Sequence, residues 1–218
     1  MLNSLNRYLN TRIPNAKLVL TKIPGTNLSL WLLNEDYPQH ALTYEQANAL
    51  MDAPPYWCFC WASGQVLAQY IFDHPHQVAG KNILDFGCGS GIVGIAAALN
   101  GASRVVACDI DPHALAITQA NANSNNVKLE MCSSLNDFYQ NINSSEWIVC
   151  VADVFYDTDN LNLLTEFCHK FSDVWVSDSR TKPEQLQLLK HASKHFSNTI
   201  PDLDESSQFR HVNMYQKK

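Results

Sequence analysis

The chain has 218 residues, 46% hydrophobic and 17% charged, which is enough apolar material for one large core and too much for a disordered chain. Its formal net charge is −6 and it contains no Lys/Arg-rich block. Nucleic acid is therefore excluded as the expected partner, because phosphate-backbone binding needs clustered cations. No apolar run approaches the ~20 residues of a membrane span, so no membrane association is expected.

Leu2, Leu5 and Leu9 fall on one face of a short N-terminal amphipathic helix. No acid precedes Glu35, while Arg7, Arg12, Lys17 and Lys22 do, a pattern with a faint likeness to a mitochondrial transit peptide. The expectation is a helix running straight into the fold of a cytoplasmic protein, with the mitochondrial matrix as the alternative in a eukaryote. The stretch KLVLTKIPGTNLSLWLL predicts two short strands around a Pro24-Gly25-Thr26-Asn27 turn. Thr43-Tyr44-Glu45-Gln46 is a capping box, opening a helix that ends before Pro54-Pro55.

From Trp57 onwards strands and helices alternate. A helix over about 61–73 precedes the strand NILDF, then a helix from Gly91 and the strand RVVACD. Pro112 opens the next helix, with Asp111 as its N-cap. The strands VKLEMC and WIVCVAD, a helix over about 159–171, the strand DVWVSD and a helix from Pro183 complete the alternation. A short SNTI strand and QFRHVNMYQ close the chain and are near enough to pair antiparallel. Continuous apolar strands between helices predict an α/β fold. Its expected form is a Rossmann-like, doubly wound, mostly parallel sheet. Residues 1–55 form a small extension and residues 56–218 the main domain.

The seven cysteines include no C-x-x-C pair. Cys88, Cys108, Cys132, Cys150 and Cys168 sit singly in or beside apolar stretches, as expected of free thiols in a reducing compartment. Cys58-Phe59-Cys60 is weak evidence for a metal. The eight histidines form no cluster with ligand spacing, so no metal is expected.

The segment ILDFGCGSGIVG, residues 83–94, carries the chemistry. Glycines after a strand let backbone approach a ligand, and the following helix N-terminus favours negative charge. That fits a dinucleotide or another nucleoside. Asp85 discriminates: a carboxylate there would repel a pyrophosphate and favour a cationic ligand. S-adenosylmethionine carries an ammonium, a sulfonium and no phosphate. Asp109, after RVVAC, stands about 20 residues downstream, where an acid hydrogen-bonds ribose hydroxyls.

LDFGCGSG followed by VVACDID resembles the cofactor motifs of the seven-strand, class I S-adenosylmethionine-dependent methyltransferases. PPYWCFCWASGQVLAQYI, GASRVVACDIDP and ADVFYD resemble, within that class, the lysine methyltransferases acting on the β-subunit of electron-transfer flavoprotein. The likeness runs from about Pro54 to Ser179. It implies a seven-stranded sheet with a reversed last strand, and a substrate-side role for the N-terminal extension. It also implies S-adenosyl-L-methionine held by Asp85, Gly87, Gly89, Gly91, Asp109, Ile110, Ser133 and Trp61. Trp57 and Trp61 would border the cofactor and substrate channel.

Asp153 ends WIVCVAD, at the carboxyl edge where open α/β sheets bind ligands. The resemblance implies that Asp153 aligns the target amine while Phe155 or Tyr156 offers an aromatic face to its cationic character. Relatives that methylate planar amines carry two prolines between acid and aromatic. Val154-Phe155 stands there instead, which points away from nucleobase and glutamine targets. Asp178, Ser179 and Arg180 are further substrate-side candidates. The expected activity is N-methylation of a protein lysine by a monomer, the electron-transfer flavoprotein β-subunit being the target the resemblance suggests. A ribosomal protein or a small-molecule amine is the alternative substrate. The alternative classes are a nicotinamide-dependent oxidoreductase and a non-catalytic nucleoside-binding module.

Overall fold

A computed structural model describes residues 1–37, 43–44, 54–141 and 143–218. The helix that the Thr43–Gln46 capping box would open lies outside the described residues. Helix α1 (Leu2–Arg12) buries Leu5 and Leu9. Strands β1 (Leu18–Lys22) and β2 (Ser29–Leu33) pair antiparallel, Leu18 opposite Leu33. Then follow α2 (Ala62–Asp73), β3 (Asn82–Phe86), α3 (Ile92–Leu99), β4 (Arg104–Cys108), α4 (Pro112–Ser124), β5 (Glu130–Cys132) and α5 (Leu135–Asn141). The chain continues through β6 (Trp147–Ala152), α6 (Thr158–Leu161), α7 (Leu163–Lys170), β7 (Asp173–Asp178), β8 (Leu189–Phe196) and β9 (His211–Lys217).

The large sheet has seven strands in the order β5-β4-β3-β6-β7-β9-β8. β5, β4, β3, β6 and β7 are parallel, while β9 runs antiparallel to both β7 and β8. Side chains alternate between faces as the two-residue strand period requires. Ile83, Ile148 and Trp175 pack beneath α2 and α3 with Leu67, Ile71 and Ile95. Leu84, Val149, Val151 and Val174 face the other way, onto Phe138, Phe167 and Phe171. The strand order reverses between β3 and β6, and ligands of open α/β sheets bind outside the carboxyl ends at such a point.

The extension shares its core with the sheet domain. Leu5, Leu9, Ile13, Leu18 and Leu33 pack with Trp57 and with Ala114, Ile117 and Ala120 of α4. Polar side chains of α4 fix the join. The amide oxygen of Asn121 accepts from Trp31 N at 2.6 Å, and Asn125 accepts from Ser29 N at 3.1 Å and donates to Ser29 O at 2.7 Å. Asn121 is fully buried and its amide nitrogen donates to Ser90 O at 2.9 Å, so both ends of the side chain are satisfied. One side chain thus ties the glycine loop to the extension.

Several expectations require correction. Pro183 opens only a single 3₁₀ turn, Pro183–Leu186, and the stretch expected to be helical forms edge strand β8. Only Leu189 of β8 is fully buried, so no amphipathic face exists to hold a helix down, and pairing with β9 overrides local propensity. SNTI is not a strand of the large sheet; its Ile200 makes an isolated antiparallel bridge with Cys60. The partner of β9 is therefore β8 rather than SNTI. The helix expected over 159–171 breaks at Asn162 into α6 and α7, β5 is shorter than VKLEMC, and α5 was not anticipated. All seven cysteines are free, and five are buried.

Candidate active site

β3 delivers the glycine loop directly into α3, and two of its glycines serve different ends. Gly91 has φ 81° and ends the loop as the N-cap of α3; a Cβ there would lie 2.7 Å from Thr118 Cγ2. Thr118, buried on α4, donates from Oγ1 to Gly89 O at 3.0 Å. Gly89 has φ 51° and a Cβ on it would meet nothing within 4 Å. Gly91 is glycine so that two helices can approach; Gly89 leaves backbone open to a cavity.

That cavity, about 480 Å³, lies across the carboxyl ends of the strands. Gly87, Gly89, Asp109, Ile110 and Asp111 line one side, with Ser134 and Leu135. Asp153, Val154, Tyr156, Asp157 and Arg180 line the other, and Tyr56, Trp57 and Trp61 close it from the segment before α2. The carboxylate of Asp109 is fixed by the loops beside it: Gly89 N donates to Oδ2 at 3.0 Å and Asp111 N to Oδ1 at 3.0 Å. Each oxygen keeps a lone pair for a ligand hydroxyl. Burial raises the Asp109 carboxyl above its ordinary range. Ile110 is 90% exposed at the rim, an apolar side chain with no protein surface to cover.

The second carboxylate has unusual backbone. Asp153 follows β6 with φ 50°, in the left-handed region, which asparagine and aspartate tolerate better than other residues with a Cβ. Ser179 N and Ser179 Oγ both donate to its Oδ1 at 3.0 Å, leaving Oδ2 with lone pairs to spare. Burial pushes its carboxyl up to about 6 and the nearby Asp178 adds to the rise, against the Ser179 N–H, the Ser63 hydroxyl and the Arg180 charge. Arg180 pairs with Glu205, which also accepts from Thr199 Oγ1 at 2.6 Å. Its guanidinium lies 4.5 Å from the Phe209 ring centre and 5.4 Å from that of Trp61.

The structure gathers Gly87, Gly89, Asp109, Ile110, Trp61, Asp153, Tyr156 and Arg180 around one cavity and leaves six of the expected residues out of its lining, Asp178 and Ser179 among them. Asp85 is buried beneath the loop, where its Oδ2 accepts from Gly94 N at 2.8 Å. Burial raises its carboxyl to about 7, partly offset by that N–H, while Asp109 adds to the rise. Gly91 packs against Thr118. Ser133 points to Asp137, and Ser134 is the serine on the wall. Phe155 is 1% exposed and packs with Phe167 in the core, so of that pair Tyr156 alone lines the cavity.

Tyr56, Asp157 and Asn160 line the cavity as well; the first two lie inside PPYWCFCW and ADVFYD but had no role assigned, and Asn160 lies outside every motif. The described lining holds four aspartates and one arginine that is itself paired, a field suited to a cationic ligand. A volume within the usual range for ligand pockets, open space at Gly89, acceptor capacity on Asp109 and apolar Ile110 together fit a cationic nucleoside. Among the described residues no group of three or more His, Cys, Asp or Glu side chains could hold a metal ion. No helix among them is long and apolar enough to cross a membrane.

The family model for ribosomal protein L11 methyltransferase matches residues 65–167. The electron transfer flavoprotein beta subunit lysine methyltransferase of Homo sapiens is 32% identical over 167 residues, covering 75% of this chain and 62% of that protein. The homolog of that enzyme from Caenorhabditis elegans is 31% identical over 168 residues, covering 68% of this chain and 69% of that protein. The chain spans about three fifths of the length of the human, zebrafish, mouse and rat relatives. Among solved structures, ribosomal protein L11 methylase from Lactobacillus delbrueckii subsp. bulgaricus superposes with a TM-score of 0.52 at 18% identity, covering 72% of this chain and 78% of that one.

Proposed function

We propose that this chain, which belongs to the electron transfer flavoprotein beta subunit lysine methyltransferase family, transfers a methyl group from S-adenosylmethionine to a lysine of a protein. The observation that carries the proposal is a single cavity with the glycine loop and Asp109 on one side and Asp153 with Tyr156 on the other.

When bound, S-adenosylmethionine supplies a methyl group on a sulfonium, already activated for in-line displacement. Gly89 and Asp109 would hold the nucleoside, Asp109 accepting from ribose hydroxyls. The remaining task of the protein is to align a neutral amine and remove its water. Asp153 Oδ2 would accept a hydrogen bond from the incoming amine, with Oδ1 held in place by Ser179. With its carboxyl near 6, Asp153 is ionised at neutral pH and able to take the amine's proton or pass it to water. The half-exposed ring of Tyr156 would flank the cationic centre. The acidic lining favours a lysine approaching as ammonium. The proposed enzyme is a monomer acting in a reducing compartment where its free thiols persist.

The test incubates the protein with labelled cofactor and purified electron-transfer flavoprotein β-subunit, then ribosomal protein L11 in parallel. Label on a lysine of the former is expected. S-adenosylhomocysteine at ~100 times its dissociation constant should add about 2.7 kcal/mol to stability, and NADH should add nothing. Stabilisation by NADH alone would overturn the cofactor assignment. Binding without label on either protein would leave a nucleoside-binding module.

A further inference from the structure

Tyr56 and Tyr156 both line the cavity, and they are 49% and 51% exposed. They reach it from different parts of the fold, Tyr56 from the 3₁₀ turn Tyr56–Cys58 before α2 and Tyr156 from the segment after β6. Burial raises the pKa of the Tyr156 phenol above its ordinary value, and the Tyr56 phenol beside it adds to the rise. The two side chains therefore meet, and their rings remain accessible where they do.

Tyr56 is held there by local bonds. Its N–H donates to Pro54 O at 2.8 Å and Cys58 N donates to Pro55 O at 3.1 Å, so the Pro54-Pro55 turn fixes its backbone. Its carbonyl accepts from Trp61 Nε1 at 2.9 Å, and the two rings meet edge to face with centroids 5.8 Å apart. The Trp61 indole thus spends its one donor on the protein. The Arg180 guanidinium lies 5.4 Å from the Trp61 ring centre, so that ring already has a cation beside it.

A tyrosine ring presents a negative face to a cation. An alkylammonium entering between two such rings would bury its methylene stem against them and keep favourable electrostatics for its charged end. The aspartates of the lining draw the same cation inwards.

We propose that Tyr56 is a specificity-determining residue whose ring, with that of Tyr156, clasps the target side chain in the cavity, admitting an alkylammonium and disfavouring a neutral chain of the same length. The proposal rests on the lysine reading above and deepens it by assigning selection of the side chain to the segment before α2. Asp153 then receives an amine already placed between the two rings.

The test is an NMR titration of the S-adenosylhomocysteine-bound protein, labelled with ¹³C in the rings of its eight tyrosines. Loss of a signal in Tyr56→Phe and in Tyr156→Phe assigns the two residues. n-Pentylammonium chloride should shift both signals with one shared dissociation constant, whereas 1-pentanol at the same concentrations should leave them in place. Tyr56→Ala should weaken pentylammonium two- to fivefold, read at the Tyr156 signal, and Tyr56→Phe should restore it because the ring makes the contact. S-adenosylhomocysteine affinity of Tyr56→Ala should stay within about twofold of native. A Tyr56 signal unmoved by pentylammonium would overturn the proposal, as would equal shifts with pentanol or equal losses in Tyr56→Phe and Tyr56→Ala. The titration of the native chain decides the matter even where Tyr56→Ala does not fold. A chain that binds no S-adenosylhomocysteine at all would instead refute the methyltransferase reading on which the proposal stands.

Discussion

Asp153→Asn separates stability from turnover. Asparagine is the conservative choice because the residue has φ 50°, and its amide oxygen can still accept from Ser179. The native carboxylate, however, is held in unfavourable surroundings: burial raises its pKa from 3.8 to about 6. A group whose folded pKa lies above its unfolded value stabilises the fold when protonated, and that stabilisation is lost as pH rises towards the folded value. At pH 8 the ionised carboxylate therefore costs about two pKa units, or up to ~3 kcal/mol, an upper figure because Asp153 is only partly buried at the cavity. At pH 4.5 the same linkage leaves a cost of only ~1 kcal/mol. Asp153→Asn should then be more stable than the native chain by up to ~3 kcal/mol at pH 8, with the advantage shrinking below pH 6. Urea denaturation at both pH values measures it. Turnover should fall roughly 10²–10⁴-fold while S-adenosylhomocysteine affinity stays within about twofold. A variant equally destabilised at pH 8 and pH 4.5 would refute the electrostatic account. One that loses cofactor affinity in step with turnover would move Asp153 into the cofactor site.

The two loop glycines should separate in the same assays. Gly91→Ala forces a methyl against Thr118 in a left-handed conformation and should cost about 2–4 kcal/mol in denaturation experiments. Gly89→Ala meets no protein atom, so it should cost only about 1–2 kcal/mol of backbone strain while weakening S-adenosylhomocysteine roughly tenfold or more by filling ligand space. Phe155→Ala, in the core, should lose about 3–5 kcal/mol of stability. Tyr156→Ala should change stability by less than ~1 kcal/mol and act mainly on single-turnover methylation, which Tyr156→Phe should preserve.

The sequence by itself determined the elements whose signals are local. Apolar runs between turn residues marked every parallel strand, Pro112 with Asp111 marked the start of α4, and glycine spacing after NILDF marked the ligand loop. The cavity-lining acid Asp109, proposed to bind hydroxyls, followed from its distance along the chain. Contacts distant in sequence belonged to the tertiary structure. Residues after Pro183 carry no strong period of either kind, so the free edge of β9 decided that they form β8. Phe155 and Tyr156 are neighbours of similar character, yet one is in the core and the other at the cavity. The alternation that assigns faces along β6 ends at Asp153, whose left-handed backbone redirects Val154, Phe155 and Tyr156. Asp85 likewise has the right type and place for a ligand acid, but the packing of α3 against its strand puts Gly94 N on its carboxylate and closes it from the cavity. Local periodicity specifies which residues are strand or helix. Which way a side chain faces beyond a strand's last hydrogen bond depends on backbone angles and neighbours that only the assembled sheet imposes.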